Sequence, residues 1–148
     1  MLADLLHPER VQIGLTLSDK EAALRVVASL LTMPEGTVNE EVVYDVLVDR
    51  ERLASTGIGS AVAIPHGRYD GVEELRAAVA ICPAGVDFEA VDRLPVKILV
   101  GIVGPKSMPQ KHLAALAGVS RVLRSDERRS ALLRAPDAAS AYRTLIAP

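Results

Sequence analysis

Aromatic residues are scarce in this 148-residue chain: Tyr44, Tyr69, Tyr142 and Phe88 are the full set, with no tryptophan. A stacking platform for nucleic-acid bases needs several such rings on one surface, and so few argue against that function. Neither sign of charge dominates. Seventeen Lys+Arg stand against 19 Asp+Glu, a formal net charge of −2, which argues against a broad phosphate-backbone footprint. One cysteine, Cys82, admits no intramolecular disulfide and fits a reducing compartment. Nowhere do the ~20 consecutive apolar residues of a membrane-spanning helix occur. The first ten residues, MLADLLHPER, have no basic segment followed by an apolar stretch, so no signal peptide is expected. The apolar fraction of 49% excludes intrinsic disorder. A chain of this length suits one domain with one sizeable core. The expectation is a cytoplasmic, single-domain protein spanning residues 1–148, inserted in no membrane and bound to no nucleic acid.

The common catalytic signatures are also missing. There is no G-x-x-x-x-G-K-[ST] phosphate loop and no G-x-S-x-G nucleophile elbow. Gly57-Ile58-Gly59 opens like a dinucleotide fingerprint, but position 62 is Val and an apolar strand follows instead of a helix. The three histidines, His7, His66 and His112, lack the H-x-x-x-H spacing or a neighbouring cysteine that zinc would need. No metal is expected.

The chain does carry strands interspersed with helices. Val11, Ile13, Leu15 and Leu17 alternate with small or polar residues, the period of a half-buried strand. Ser18 and Glu21 have capping-box spacing ahead of a helix that buries Leu24, Val27, Leu30 and Leu31. Thr37 and Glu40 repeat that spacing before a second helix, with Val42, Val43, Val46 and Leu47 as its stripe and an end near Asp49-Arg50. Two short apolar runs follow, Ala61 to Ile64 and Ala77 to Cys82, stopped by Pro65 and Pro83. Val96 to Val103 is apolar apart from Lys97 and reads as a central strand buried on both faces. Helical patterns then cover 110–123, 126–134 and 137–146. This order predicts an α/β fold: a mixed parallel and antiparallel central sheet flanked by helices.

The chemistry concentrates between Asp49 and Arg68. His66 ends a short buried strand, with Pro65 before it and Gly67 after it, a rigid place to hold an imidazole with one nitrogen open. Taken alone, Pro-His-Gly also reads as a surface turn. Its neighbours favour a site. Gly57 and Gly59 allow backbone amides to approach an anion closely, and Ser55 and Thr56 add hydroxyls beside them. Arg50 or Arg52, at a helix end, offers a fork of donors matched to phosphate, or else complements the helix dipole. His112 shares a helix face with Leu116, Val119 and Leu123. It is either a core-edge residue bonded to backbone or a partner for His66 across the sheet end. Cys82, in an apolar run, reads as an inert buried thiol, and His7 as a terminal surface residue. Arg121, Arg124, Arg128, Arg129 and Arg134 alternate with Asp126 and Glu127, the pattern of a salt-bridged solvated face.

Three stretches together resemble a known family: Ser55-Thr56-Gly57-Ile58-Gly59, the run Ala63-Ile64-Pro65-His66-Gly67, and Lys111-His112-Leu113 opening a Leu/Ala-rich helix. They are similar to the fructose/mannitol/nitrogen-type enzyme IIA domains of the bacterial phosphoenolpyruvate-dependent sugar phosphotransferase system. The likeness in order and spacing runs through Gly85-Val86-Asp87-Phe88 and Pro95-Val96 and covers almost the whole chain, with Ala54 where many members have glycine. The resemblance implies a phosphotransferase working through a phosphohistidine. His66 would accept the phosphoryl group from the carrier protein HPr, with His112 close by to orient or stabilise it. Arg50 would contact the phosphoryl oxygens, and Ser55, Thr56, Gly57 and Gly59 would line the phosphate site. No cofactor is implied. The downstream partner would be an enzyme IIB in sugar uptake, or the regulatory targets of a nitrogen-type protein.

Overall fold

A computed structural model describes residues 2–148. A short helix α1 (Leu2–Leu5) and a 3-10 turn (Pro8–Arg10) lead into strand β1 (Val11–Gln12). Helices α2 (Lys20–Leu31) and α3 (Glu40–Leu53) follow, then the short strands β2 (Gly57–Gly59), β3 (Val62–Ala63) and β4 (His66–Arg68). Two long strands, β5 (Arg76–Val86) and β6 (Val96–Gly104), precede α4 (Pro109–Leu123), α5 (Asp126–Arg134) and α6 (Ala138–Ile146). The strands form one six-stranded sheet in the order β1-β5-β6-β3-β2, with β4 also beside β6. β5 and β6 are antiparallel, whereas β1 runs parallel to β5, and both β3 and β4 run parallel to β6. The mixed sheet with helices on its faces is the architecture expected from the sequence. No helix among the described residues is long and apolar enough to cross a membrane.

Strand alternation distributes the core to two faces. Ala78, Ala80, Leu99 and Val103 face α2 and α3, where Val27, Leu31, Val43, Leu47 and Phe88 are fully buried. Val79, Ile81, Ile98, Val100 and Ile102 face the other way, against Val119, Leu123, Leu132 and Leu145 of α4 to α6. A strand covered on both faces is apolar at nearly every position, which accounts for the run Val96 to Val103, with Lys97 its one polar and only partly buried member.

Several local expectations are corrected. The helix caps are Asp19 and Asn39, whose side chains accept from the Ala22 and Val42 amides; Ser18 and Thr37 do not cap. Each true cap stands one or two places nearer the helix, directly before its first residue, where the side-chain oxygen reaches the third amide. The α3 helix runs on to Leu53 instead of stopping at Asp49-Arg50. Of the predicted first strand only Val11 and Gln12 form β1: Gly14, with φ +66°, turns the chain, and Leu15 returns to β5 through its amide on the Ile81 carbonyl at 3.1 Å. Pro83 does not end its strand: the register shifts between Ile81 and Val86, and that bulge takes up the missing amide. His7 caps the 3-10 turn by accepting from the Glu9 amide. Arg10 is buried and donates to the carbonyls of Ala77, Met33 and Leu5, tying the first residues to β5 and the end of α2.

Candidate functional site

The site forms where β3 and β4 make an interrupted strand along β6. Ala63 pairs with Leu99 and His66 with Ile102, so the register is unbroken across the gap. Pro65 contributes no amide there, but its carbonyl still accepts from the Ile102 amide at 3.0 Å. Positions 62, 64 and 66 therefore project to the same face, toward α4. Gly67 projects the other way, and a Cβ there would collide with Val46 of α3. The glycine thus serves close helix packing; the hydrogen bond of His66 to Ile64, and not chain freedom after the histidine, sets the ring.

His66 is half-buried, and its Nδ1 lies 2.8 Å from the Ile64 carbonyl oxygen. A carbonyl only accepts, so Nδ1 carries the proton and Nε2 holds the free lone pair. Burial pushes the His66 pKa below the usual imidazole range, and the positive charge of Arg50 acts in the same direction. The Ile64 carbonyl and the Glu51 carboxylate oppose these effects without reversing them. The ring is neutral at neutral pH, with a nucleophilic nitrogen facing out.

His112 stands in the first turn of α4, its ring centroid 5.7 Å from that of His66 and tilted by 52°. Only 4% of it is exposed. Its pKa is lowered by burial first, and then by His66 and Arg68. Its Nδ1 is buried with no hydrogen-bond partner among the described residues. An orphaned N–H is costlier than an orphaned lone pair, which leaves Nδ1 bare and the proton on Nε2. The two histidines, separated by 45 residues in sequence, are thus brought together, one with a lone pair and one with a donor.

Arg50 sits in the last turn of α3 and donates through Nη1 to the Ala54 carbonyl at 3.0 Å. It covers a helix end, as helix-dipole reasoning allows, while its charge still reaches His66. Arg52 is exposed and pairs with Asp49 at 3.4 Å. The Ser55–Gly59 loop differs from expectation. The Thr56 amide and hydroxyl both donate to Glu51, at 3.0 and 2.6 Å, and the Gly57 amide donates to Ser55 Oγ at 3.1 Å. Gly57 and Gly59 belong to β2 and pair with Ala63 and Val62. A Cβ on Gly57 would come within 2.6 Å of Ala90, so this glycine too serves close packing. The loop's donors are thus spent chiefly on Glu51 of α3 and on Ser55, whose hydroxyl keeps its own proton to donate.

Glu51 is the residue that motif reading passed over. It is 7% exposed, holds Thr56 twice, and takes a 2.8 Å ion pair from Lys20 Nζ. Lys20 also lies over the Phe88 ring, 4.9 Å from its centroid. The signal was present: Val43, Leu47 and Glu51 are four apart on the buried face of α3, and a carboxylate on that stripe needs partners. Cys82 is buried and free. Arg128 and Arg129 donate to the carbonyls of Thr144, Pro148 and Leu123, and Arg129 pairs with Asp126. Among the described residues, no group of three or more His, Cys, Asp or Glu side chains could hold a metal ion.

The hollow thus brings together two histidines, one at a strand end and one in the first turn of α4, within reach of the charge of a helix-end arginine. Residues 4–147 match the family described as "Phosphoenolpyruvate-dependent sugar phosphotransferase system, EIIA 2", and the chain belongs to it. Among its relatives is a nitrogen regulatory protein of Bradyrhizobium diazoefficiens, 33% identical over 99% of this chain and 95% of that protein. Another is a fructose-specific EIIA component of Haloferax volcanii, 34% identical over 78% of this chain and 75% of that one. The crystal structure of nitrogen regulatory protein IIA-Ntr from Neisseria meningitidis superimposes with a TM-score of 0.88 at 26% identity, covering 97% of both chains.

Proposed function

We propose that this chain accepts a phosphoryl group on His66 Nε2 from the phosphorylated histidine of HPr, in the cytoplasm, and passes it to an enzyme IIB. The observation that carries the reading is the 2.8 Å bond from His66 Nδ1 to the Ile64 carbonyl, which leaves Nε2 as the one free nucleophile. In the step, the Nε2 lone pair forms the new P–N bond as the donor's P–N bond breaks. The donor ring, protonated on its other nitrogen, keeps the electron pair of the broken bond and leaves as neutral imidazole. Phosphorylated His66 retains its Nδ1 proton as a phosphoimidazolium, its charge eased by Ile64 and by Glu51. The transition state is loose, so the protein's work is to position groups and offset charge on three oxygens. His112 Nε2–H and the donors of Arg50 not bound to Ala54 are the groups assigned to that work, with the Ser55 hydroxyl beside them. Thr56, Gly57 and Gly59 frame the phosphate site by holding the end of α3 against β3.

The same chemistry supports a second reading, in which the phosphorylation state of His66 controls binding to regulatory targets. The end-to-end likeness to the Bradyrhizobium nitrogen regulatory protein favours it. The deciding experiment combines the chain with phosphoenolpyruvate, enzyme I and HPr and records the intact mass. One acid-labile phosphoryl group, lost in His66→Ala, is the expected result; equal phosphorylation of the variant overturns the assignment. Subsequent transfer to candidate enzymes IIB then separates sugar uptake from regulation.

A further inference from the structure

Arg68 lies two residues beyond His66 on the same strand, so its side chain leaves the same face of the sheet. Same-face neighbours on a strand are about 7 Å apart, within the span of an arginine side chain. Its charge reaches the buried His112 ring across the hollow, which places it on the α4 side with both imidazoles. Arg68 is exposed, and among the described residues it makes no ion pair and no side-chain hydrogen bond. The other cations around the site are committed: Lys20 to Glu51, and Arg50 through Nη1 to Ala54. Lys111, next to His112 in sequence, is turned about 100° away on its helix and lines a groove with Leu2 and Leu5 instead.

We infer that Arg68 is a second phosphoryl-binding guanidinium, which closes onto the oxygens of phosphorylated His66 from the side opposite Arg50. A planar fork of donors with no competing partner suits a dianionic phosphoryl group, and closing on it costs no existing bond. Arg50 then bears on the group from the end of α3, and Arg68 from the strand that carries His66. This rests on the acceptance of phosphate at His66.

The experiment measures how the phosphoryl group distributes at equilibrium between HPr and the full chain, in wild type, Arg68→Gln and Arg68→Lys. Loss of one charge-assisted contact should move the equilibrium about tenfold toward HPr in Arg68→Gln, with partial recovery in Arg68→Lys. The 31P resonance of the phosphorylated chain should shift in Arg68→Gln, which loss of a merely structural contact would not produce. If wild type takes no phosphate, the parent reading fails. If wild type is phosphorylated and Arg68→Gln has an equilibrium within twofold of it, the inference is overturned. An unchanged equilibrium with weaker docking of HPr overturns it too, and makes Arg68 a partner contact.

Discussion

The two walls of the hollow around His66 are built on opposite terms. On the α3 side nearly every polar group is satisfied: Glu51 accepts two bonds from Thr56 and one ion pair from Lys20, and Arg50 covers Ala54. On the α4 side, among the described residues, His112 Nδ1 has no hydrogen-bond partner, the Arg68 side chain makes no hydrogen bond or ion pair, and His66 is held through Nδ1 alone. Buried polar networks that are complete rigidify a structure, whereas spare donors and lone pairs carry a cost unless something arrives to use them. One wall is committed scaffold, and the other is where the proposed chemistry falls. The strand bearing His66 is where they meet, because Gly67 lets α3 close on one face while His66 turns to the other.

Substitutions on the two walls should therefore fail differently. The largest effect belongs to the open wall. His112→Ala should still fold, since Val119 and Leu123 anchor α4, but transfer should slow about a hundredfold, as when one preorganised donor is removed. His112→Gln, which can place an amide N–H near the lost Nε2–H, should recover part of that rate. Quench-flow transfer from phosphorylated HPr measures both, and equal rates for the two variants would remove the donor role. On the closed wall the effect is on stability. Glu51→Gln keeps an acceptor for the Thr56 amide but exchanges the charge-assisted hydroxyl bond for a weaker neutral one and loses the charge that Lys20 needs, a cost of about 2 kcal/mol. Urea unfolding reads this directly. A midpoint equal to that of wild type would mean that the loop after α3 is held from elsewhere.

Much of the open wall was legible in the sequence and much of the closed wall was not. Pro65-His66-Gly67 alone also reads as a surface turn, and His66 stood out only through the glycines, hydroxyls and helix-end arginine that precede it. His112 was visible as a polar intruder on an apolar stripe. The sheet and its helices follow from periodicity, which reports burial face by face. What stayed hidden depends on partners distant in sequence. Glu51 looks like a helix-end charge until Lys20, 31 positions earlier, is brought against it. Gly57 and Gly59 look like an anion nest until their neighbours are seen to be Ala90 and β3. Pro83 looks like a strand terminator until a bulge absorbs it. Motifs name residue types, whereas hydrogen-bond commitments are settled only by the fold.

The smallest effect concerns protons and tests whether the open wall is neutral. His66 and His112 both titrate below the usual imidazole range, chiefly because burial disfavours the charged ring. The unfolded chain takes up protons at these histidines near pH ~6.5, and the folded chain only at lower pH. Between those points the unfolded state binds more protons, so stability is full above ~6.5 and declines as the pH falls below it. Glu35 and Asp137, whose pKa values are also lowered, lose their contributions only in the more acidic carboxylate range. Urea midpoints at pH 7.5 and 5.5 should therefore fall in wild type and fall less in the His66→Gln, His112→Gln double variant. Phosphate acceptance should hold nearly constant down to pH 6.5 and diminish only below it, because neutral His66 persists past the point where a free imidazole is half protonated. An acceptance rate already halved at pH 7 would mean that the ring is charged, and would return His66 to the behaviour of an exposed turn.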